Sequence, residues 1–225
     1  MNEKHIKKTF ILILFCILAA GINYLLNTLS VYFIKIPLFL DTLFNAVVCF
    51  TAGLIPGFVT ALISYTALCI RNGSFDPFIL CAITEVFLIW RFKPSYPRII
   101  KLGEQHTRTL PETAVTSFVS TFARLMLLYI VCCIAISILG GLIDFIYYNV
   151  MANSKQYFSA EDTFKIGLLQ SGIPVLAMNI LSRIPVNLVD RFIVIFGGYF
   201  ISKLIIRVFS PTIPQEKFPA QARKK

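Results

Sequence analysis

Residues 10–29 read FILILFCILAAGINYLLNTL and contain no charged side chain. At a rise of about 1.5 Å per residue, a helix of this length crosses the roughly 30 Å hydrocarbon core of a bilayer. A basic segment precedes the run, as in a signal peptide. However, the apolar run from Phe10 to Leu26 is longer than a usual signal-peptide core and lacks a convincing cleavage site. The stretch therefore predicts a retained first transmembrane helix.

The composition of the whole chain supports a membrane protein. Of 225 residues, 57% are hydrophobic and only 14% are charged, whereas soluble domains carry about 25% charged residues. This excludes a water-soluble globular protein, and the high hydrophobicity excludes a disordered chain. We interpret the net charge of +10 as a sign of membrane topology, so no nucleic-acid partner is expected. We predict one integral membrane domain over residues 1–225.

The predicted fold is all-α: a polytopic membrane bundle of six transmembrane helices, with an extra interfacial helix before the last one. Gly53-Leu-Ile-Pro-Gly57 separates the second helix from the third, and Asp76 and Pro77 begin the fourth as N-cap and first helical residue. Within an outer insertion, Ile166–Ser182 is apolar but contains polar residues that suit an interfacial or re-entrant helix. The helices are predicted at about 10–29, 38–52, 58–70, 77–90, 118–143 and 184–208, with the insertion at 144–183 and a cytoplasmic tail at 209–225.

Basic residues predict the orientation, because Lys and Arg concentrate in cytoplasmic loops. With six spans and the N-terminus inside, all but six of the 21 Lys and Arg residues fall on the inner side. A seventh span at Ile166–Ser182 removes this bias. The sequence therefore predicts that the N- and C-termini are both cytoplasmic.

Charged residues within apolar helices mark the candidate site, since a charge near a helix centre costs roughly 2.5–3.5 kcal/mol on insertion scales. Asp41 lies one turn inside the outer end of the second helix. Four polar residues occupy the first turns of the last helix, and three of them share one face. Mixed charges at the outer side indicate a small-solute pocket, while structural ion pairs or caps near the headgroups are the alternative. The predicted substrate-binding residues are Asp41, Asp76, Glu85, Arg183, Asn187, Asp190 and Arg191.

Glu85 is the deepest of these carboxylates, and its role stays open between a substrate contact, a proton relay and a hydrogen-bonded packing residue. The sequence shows no nucleophile–base pair, no metal-ligand cluster and no GxxxxGK[ST] phosphate-binding motif. We therefore expect a protein that is not an enzyme and has no cofactor or metal. The six cysteines lie in apolar runs without a CxxC pair and are expected to be packing residues.

Three short motifs carry a resemblance to a known family: Pro37-Leu-Phe-Leu-Asp-Thr-Leu-Phe44, Gly53-Leu-Ile-Pro-Gly57 and Pro185-Val-Asn-Leu-Val-Asp-Arg-Phe192. A proline and an aspartate enter the second helix, a glycine-rich break follows, and Pro-x-Asn-x-x-Asp begins the last helix. Over about residues 10–209 the chain resembles the substrate-binding membrane subunits (S components) of energy-coupling factor (ECF) transporters.

The resemblance implies a protein of the bacterial cytoplasmic (inner) membrane that captures a vitamin-like solute at the outer side. ATP-driven uptake would be performed with a transmembrane coupling subunit and two cytoplasmic ATPase subunits. In that family small residues of the first helix meet the coupling subunit, and the matching positions here are Cys16, Ala19 and Ala20. Small residues also serve helix packing within one chain. Two alternatives are a membrane ligand-sensing module that signals to a partner protein and a structural membrane scaffold.

Overall fold

The computed structural model describes residues 3–34, 40–94, 112–150 and 160–209. Within these ranges the chain is helical and has no β-strand, which confirms the all-α prediction. The helices are α1 (Glu3–Thr28), α2 (Leu43–Ala52), α3 (Leu54–Asn72), α4 (Ile79–Phe92), α5 (Glu112–Asp144), α6 (Ala160–Gln170), α7 (Val175–Leu181), α8 (Arg183–Phe192) and α9 (Gly198–Phe209).

Four helical stretches in the described chain are long and apolar enough to cross a membrane: Ile6–Phe33, Leu54–Asn72, Phe118–Tyr147 and Val175–Phe209. Their outward faces carry large apolar side chains; Phe33 is 76% exposed and Ile70 is 77% exposed. Such surfaces are unfavourable in water and favourable in lipid. The protein is therefore membrane-embedded. A shorter apolar stretch, Leu40–Ala52, and the 14-residue helix α4 complete the bundle.

Two helices extend beyond their predicted ends. A π-helical turn, Leu29–Ile34, continues α1, so this helix extends five residues beyond its predicted end at residue 29. A second π-helical turn, Phe145–Val150, continues α5 into the predicted outer insertion. α5 also begins at Glu112, six residues before the predicted start. Most of the predicted inner loop (95–111), part of the insertion (151–159) and the tail after 209 lie outside the described residues.

The predicted break between the second and third helices is present, but it is shorter than predicted. Gly53 has a φ of 109°, a conformation that side chains with a Cβ rarely adopt, and it alone separates α2 from α3. Pro56 and Gly57 fall in the first turn of α3, where proline is tolerated. A Cβ at Gly57 would lie 2.8 Å from Cγ1 of Val86, so this glycine brings α3 close to α4.

The region before the last helix differs most from prediction. Ile166–Ser182 is not one interfacial helix, because the chain turns at Gly172, which has a φ of 77°, and Pro174 then precedes α7. The second half of this segment instead belongs to the apolar stretch Val175–Phe209. Helix α8 begins at Arg183, within one residue of the predicted start of the last helix, but the apolar stretch that contains it begins nine residues before that predicted start. The helix α6 remains as a separate helix before it.

Helix α2 lies at the centre of the bundle. Its residues from Asn45 to Cys49 have no exposed surface, and they pack against the apolar stretch that includes Val194 and Ile195. Small residues permit this approach: a Cβ added to Gly198 would lie 3.1 Å from the Cβ of Ala46. This packing fixes the position of α2 and of the 3₁₀ turn Leu40–Thr42 before it, which carries Asp41.

The small residues of α1 are used within the chain. Cys16, Ala19 and Ala20 are each at most 3% exposed, and Cys16 and Ala19 pack against Val48 and Ala52 of α2. These three positions therefore offer no exposed surface to the coupling subunit implied by the resemblance. Five of the six cysteines are buried and Cys69 is half-buried, and all are free thiols.

Candidate functional site

A cavity of about 130 Å³ opens at one end of the bundle, where α1, α3 and α5 end and α2, α4 and α8 begin. Five of the seven predicted site residues line it; Glu85 and Asp190 do not. Those five are Asp41, Asp76, Arg183, Asn187 and Arg191, and they are joined by Asn27, Thr42, Tyr65, Leu68, Arg71, Asn72, Phe78, Cys81, Ala82 and Ile136. Residues that are up to 164 positions apart in the chain therefore meet around one cavity.

Arg191 forms the centre of the cavity floor. Its Nη1 pairs with Oε2 of Glu85 on α4, and its Nη2 pairs with Oδ2 of the preceding residue, Asp190. Nη1 also donates a hydrogen bond of 3.3 Å to Oγ1 of Thr42. Glu85 and Asp190 are at most 1% exposed, so they act beneath the cavity by holding the guanidinium of Arg191. We refer to Arg191, Glu85 and Asp190 as the floor cluster.

Asp41 contributes a further carboxylate directly beside the floor cluster. It lies in the 3₁₀ turn Leu40–Thr42 that leads into α2, next to the Thr42 that accepts a bond from Arg191. Asp41 is only 5% exposed, and its Oδ1 has no hydrogen-bond partner among the described residues. Buried polar atoms normally have such a partner, so this oxygen is a candidate for a ligand contact.

Arg183 was predicted as a site residue, but its partners were not. It forms a second cluster with Asp144 and Lys165. Its Nη2 lies 2.9 Å from Oδ2 of Asp144, and Nζ of Lys165 lies 2.7 Å from the same oxygen. The guanidinium also stacks on the ring of Phe78, with 4.4 Å between Cζ and the ring centroid. Gly140 leaves room for it, since an added Cβ there would lie 2.9 Å from Nη1 of Arg183. We call Asp144, Arg183 and Lys165 the rim cluster.

Asn187 lies between the two clusters on α8. Its Nδ2 donates a hydrogen bond of 2.9 Å to Oγ of Ser137 on α5. All four predicted residues of this helix, at 183, 187, 190 and 191, are buried. Their spacing of i, i+4, i+7 and i+8 places all four on one face, so the prediction that three share a face was too narrow. The opposite side of α8 is exposed, with Leu188 at 44% and Val189 at 53%.

The mouth of the cavity is formed by Asp76 and Arg71. Oδ1 of Asp76 accepts a hydrogen bond of 2.9 Å from the backbone N–H of Phe78, so Asp76 caps the turn before α4, and the helix starts at Ile79 and not at Pro77 as predicted. Burial raises the pKa of the Asp76 carboxyl, against the opposing effects of the Phe78 N–H and the charge of Arg183.

Arg71 was not among the predicted site residues. Its guanidinium donates to Oδ1 of Asn27 at 2.7 Å and to Oγ1 of Thr28 at 2.9 Å, and it lies over the rings of Tyr24 and Tyr32. All these partners are neutral. The only signal in the sequence is its position at the outer end of an apolar helix, which equally suits a headgroup contact.

A polar clamp of neutral side chains joins α1, α2 and α3 and was also missed. Nδ2 of Asn23 donates to Oδ1 of Asn45 at 2.9 Å and to Oγ of Ser64 at 3.3 Å. Oδ1 of Asn23 accepts a bond of 2.8 Å from the N–H of Phe44. These bonds fix the first turn of α2, and therefore Asp41, relative to α1. The sequence signal for this clamp is that each of these polar residues is isolated within an apolar run, a pattern typical of hydrogen bonds between membrane helices.

Within the described residues, no three His, Cys, Asp or Glu side chains are grouped so that they could hold a metal ion. The chemical resources of the cavity are thus carboxylates, guanidinium groups, amides and hydroxyls. These groups bind polar solutes by charge and hydrogen bonding.

Comparison with known proteins identifies the family. Residues 58–212 match a protein family described as a family of unknown function, DUF6040. The chain belongs to DUF6040. The matched region contains six of the predicted site residues and leaves out Asp41. Neither the curated proteins nor the solved structures gave a match.

Proposed function

We propose that this DUF6040 protein captures a compact polar solute from outside the cell and passes it to partner subunits for uptake, as the S component of an ECF-type transporter does. The observation that supports this proposal is the cavity itself, a polar space within an apolar bundle. Charged side chains at membrane depth are expensive and usually mark ligand or ion pathways. Here Asp41, Arg183, Asn187 and Arg191 are at most 8% exposed and line one cavity.

The size of the cavity narrows the solute class. Sites for drug-sized ligands enclose about 300–1,000 Å³, and an engineered cavity of about 150 Å³ holds benzene. A cavity of about 130 Å³ therefore suits a ligand of roughly six non-hydrogen atoms, by comparison with benzene. A vitamin-like solute with several rings requires the helix ends around the cavity to move apart.

The proposed topology has six spans with both termini in the cytoplasm, so the cavity opens to the outside. It rests on the distribution of Lys and Arg and on four long apolar helices. The two further spans are Leu40–Ala52 and α4, which are shorter than a lipid-exposed span but lie in contact with several neighbouring helices. In this arrangement α6 lies at the outer surface. The proposed location is the bacterial cytoplasmic membrane.

Energy for uptake would come from partners, namely a coupling subunit and two ATPases. Because Cys16, Ala19 and Ala20 are buried against α2 and α3, the coupling subunit would have to use the exposed side of α1, which includes Ile13, Ile17 and Leu18. Co-purification from native membranes followed by mass spectrometry tests this part. An ATPase pair enriched with the protein supports the proposal.

Ligand binding tests the central claim. We would purify the protein in mild detergent and screen vitamins, nucleobases, metal ions and compact amines, alcohols and carboxylates by thermal unfolding. A ligand at a hundredfold excess over its Kd stabilises the folded state by about 2.7 kcal/mol. We expect that Asn187→Ala abolishes the shift and that Lys203→Gln on the exposed side of α9 leaves it unchanged. A screen without any shift would contradict the proposed function.

A structural scaffold is the second candidate, and the ion pairs favour it. Both arginines of α8 are already engaged with carboxylates in the folded chain, as expected if the charges only join helices. A scaffold binds no solute, and its cavity variants change stability alone. A ligand-sensing module, by contrast, binds a solute but does not support its uptake into whole cells or proteoliposomes.

A further inference from the structure

Acidic and basic side chains are unevenly distributed around the cavity. If the proposed function holds, this distribution indicates the class of solute that the cavity binds. In the floor cluster one guanidinium faces two carboxylates, Glu85 and Asp190. Two carboxyl groups thus share one cation in this cluster before Asp41 is counted. Asp41, beside Thr42 at the edge of this cluster, adds a third carboxyl group.

The position of Asp41 distinguishes it from the other acids. Glu85 and Asp190 lie beneath the cavity, whereas Asp41 lines it. Asp41 is 5% exposed, forms no ion pair within the described chain, and has Oδ1 without a hydrogen-bond donor there. A buried carboxylate is stable only when a cation or hydrogen-bond donors compensate for its lost hydration. The partner of Asp41 is therefore expected to come from the cavity.

The three arginines that line the cavity each have other partners and do not pair with the Asp41 carboxylate. Arg183 is engaged by Asp144 in the rim cluster. Arg71 lies at the mouth, where its guanidinium is held by Asn27 and Thr28. Arg191 is bound by the floor carboxylates, and its Nε has no acceptor among the described residues. The floor thus offers a carboxylate oxygen and a free N–H, a combination that matches an ammonium group with an oxygen nearby.

We propose that the cavity binds a compact solute with a protonated amine, and that this amine pairs with the carboxylate of Asp41. The charge-assisted hydrogen bond from N–H to Oδ1 would supply both the cation and the donor that Asp41 lacks. An oxygen on the second or third carbon from the amine would accept from Nε of Arg191. Short amino alcohols and amino acids meet these requirements within about 130 Å³.

The first experiment compares solutes of matched size on the full chain and needs no variant. Ethanolamine, propylamine and β-alanine are tested against ethylene glycol, propanol and propionate by isothermal titration in detergent at constant ionic strength. Potassium and sodium chloride serve as ion-only controls. We expect that the amines bind at least about tenfold more tightly than their uncharged or anionic counterparts, the range for a hydrogen bond to a charged group.

The second experiment tests the assignment to Asp41. Asp41→Asn keeps the shape of the side chain and removes its charge, and it is expected to weaken amine binding by about 10- to 100-fold. Lys203→Gln on the exposed side of α9, outside the cavity lining, is the control and is expected to change binding by less than about threefold, as for exposed charges. If Asp41→Asn does not fold, the matched solutes still decide the solute class.

The outcomes separate this inference from the proposed function. Preferred binding of propionate, of a neutral solute, of a multi-ring vitamin or of a simple metal ion would overturn the amine assignment while keeping a solute-binding protein. Equal amine binding by wild type and Asp41→Asn would also overturn it, because it would mean that Asp41 is neutral or purely structural. The absence of binding by every solute class would overturn both.

Discussion

Helix α8 carries an arginine at each end, and the two arginines lie in clusters of opposite composition. Arg191 is one guanidinium held by two carboxylates, Glu85 and Asp190. Asp144, by contrast, is one carboxylate held by two cations, Arg183 and Lys165. Counted over these six residues alone, the floor cluster has two carboxylates to one cation, and the rim cluster has two cations to one carboxylate.

On the proposed function, these unequal compositions would keep the cavity ready for a ligand. A fully matched ion pair satisfies itself and has little need of a solute. An unmatched cluster remains dependent on what occupies the space next to it. The negative floor, extended by Asp41, faces the enclosed part of the cavity, while the positive rim lies near the end of the bundle. Substitutions that remove the single central charge of each cluster therefore test the comparison most directly.

The largest effect is expected for Arg191→Met. This change leaves Glu85 and Asp190 buried, both at most 1% exposed, without the cation that compensates them. Breaking a buried ion pair by removing one partner costs about 3–5 kcal/mol of the free energy of unfolding. Denaturant unfolding in detergent measures the loss, and Arg207→Met on the exposed side of α9 is the matched control. Equal losses in the two variants would show that the floor cluster does not depend on its guanidinium.

A smaller loss of about 2 kcal/mol is expected for Asp144→Asn, in the range for a hydrogen-bonded charge. The variant leaves Arg183 and Lys165 close together without their shared carboxylate. Both are long side chains that can turn toward the polar end of the bundle, which is why the loss is smaller than for Arg191→Met.

A double-mutant cycle with Lys165→Met sharpens this prediction. If the two cations compete for one carboxylate, removing Lys165 restores part of the stability lost in Asp144→Asn. Strictly additive losses in Asp144→Asn/Lys165→Met would contradict a rim cluster with an excess cation.

The two clusters also differ in how far they could be predicted from the sequence. The floor residues Asp41, Glu85, Asp190 and Arg191 interrupt apolar runs, and a charge there is expensive enough to be noticed without a structure. Their pairing was not predictable, because Arg191 meets Glu85 across 106 positions of chain, and the two helices are brought together by packing on α5.

The rim cluster was missed for a different physical reason. Asp144 is the first residue of the predicted outer insertion, and Lys165 lies within that insertion. Charged residues in such a polar segment are normally solvated. The π-helical turn Phe145–Val150 prolongs the helix past Asp144, and the left-handed Gly172 turns the chain back into α7. Lys165 and Arg183 are thereby brought to one oxygen. Tertiary packing determines where α5 ends and where the chain turns before α7. The local pattern of apolar residues carries no information about that packing.

The smallest effect is expected for Asp76→Asn at the mouth, between the two clusters. Burial raises the pKa of this carboxyl above its ordinary value of 3.8, and the N–H of Phe78 and the charge of Arg183 oppose the increase. The folded protein therefore holds a proton at Asp76 more tightly than the unfolded chain does. The contribution of Asp76 to the free energy of unfolding consequently falls as the pH rises from about 4 through the folded-state pKa.

Asparagine cannot titrate, so this fall is absent from the variant. The free energy of unfolding of Asp76→Asn minus that of the wild type should change in favour of the variant between about pH 4 and pH 7. Denaturant midpoints of both proteins across this range measure the difference, and every other titrating group is common to both. A difference that stays constant with pH, or changes in favour of the wild type, would mean that Arg183 outweighs burial at the mouth. In that case the positive excess of the rim cluster would extend to Asp76, and the negative charge of the site would be confined to the floor.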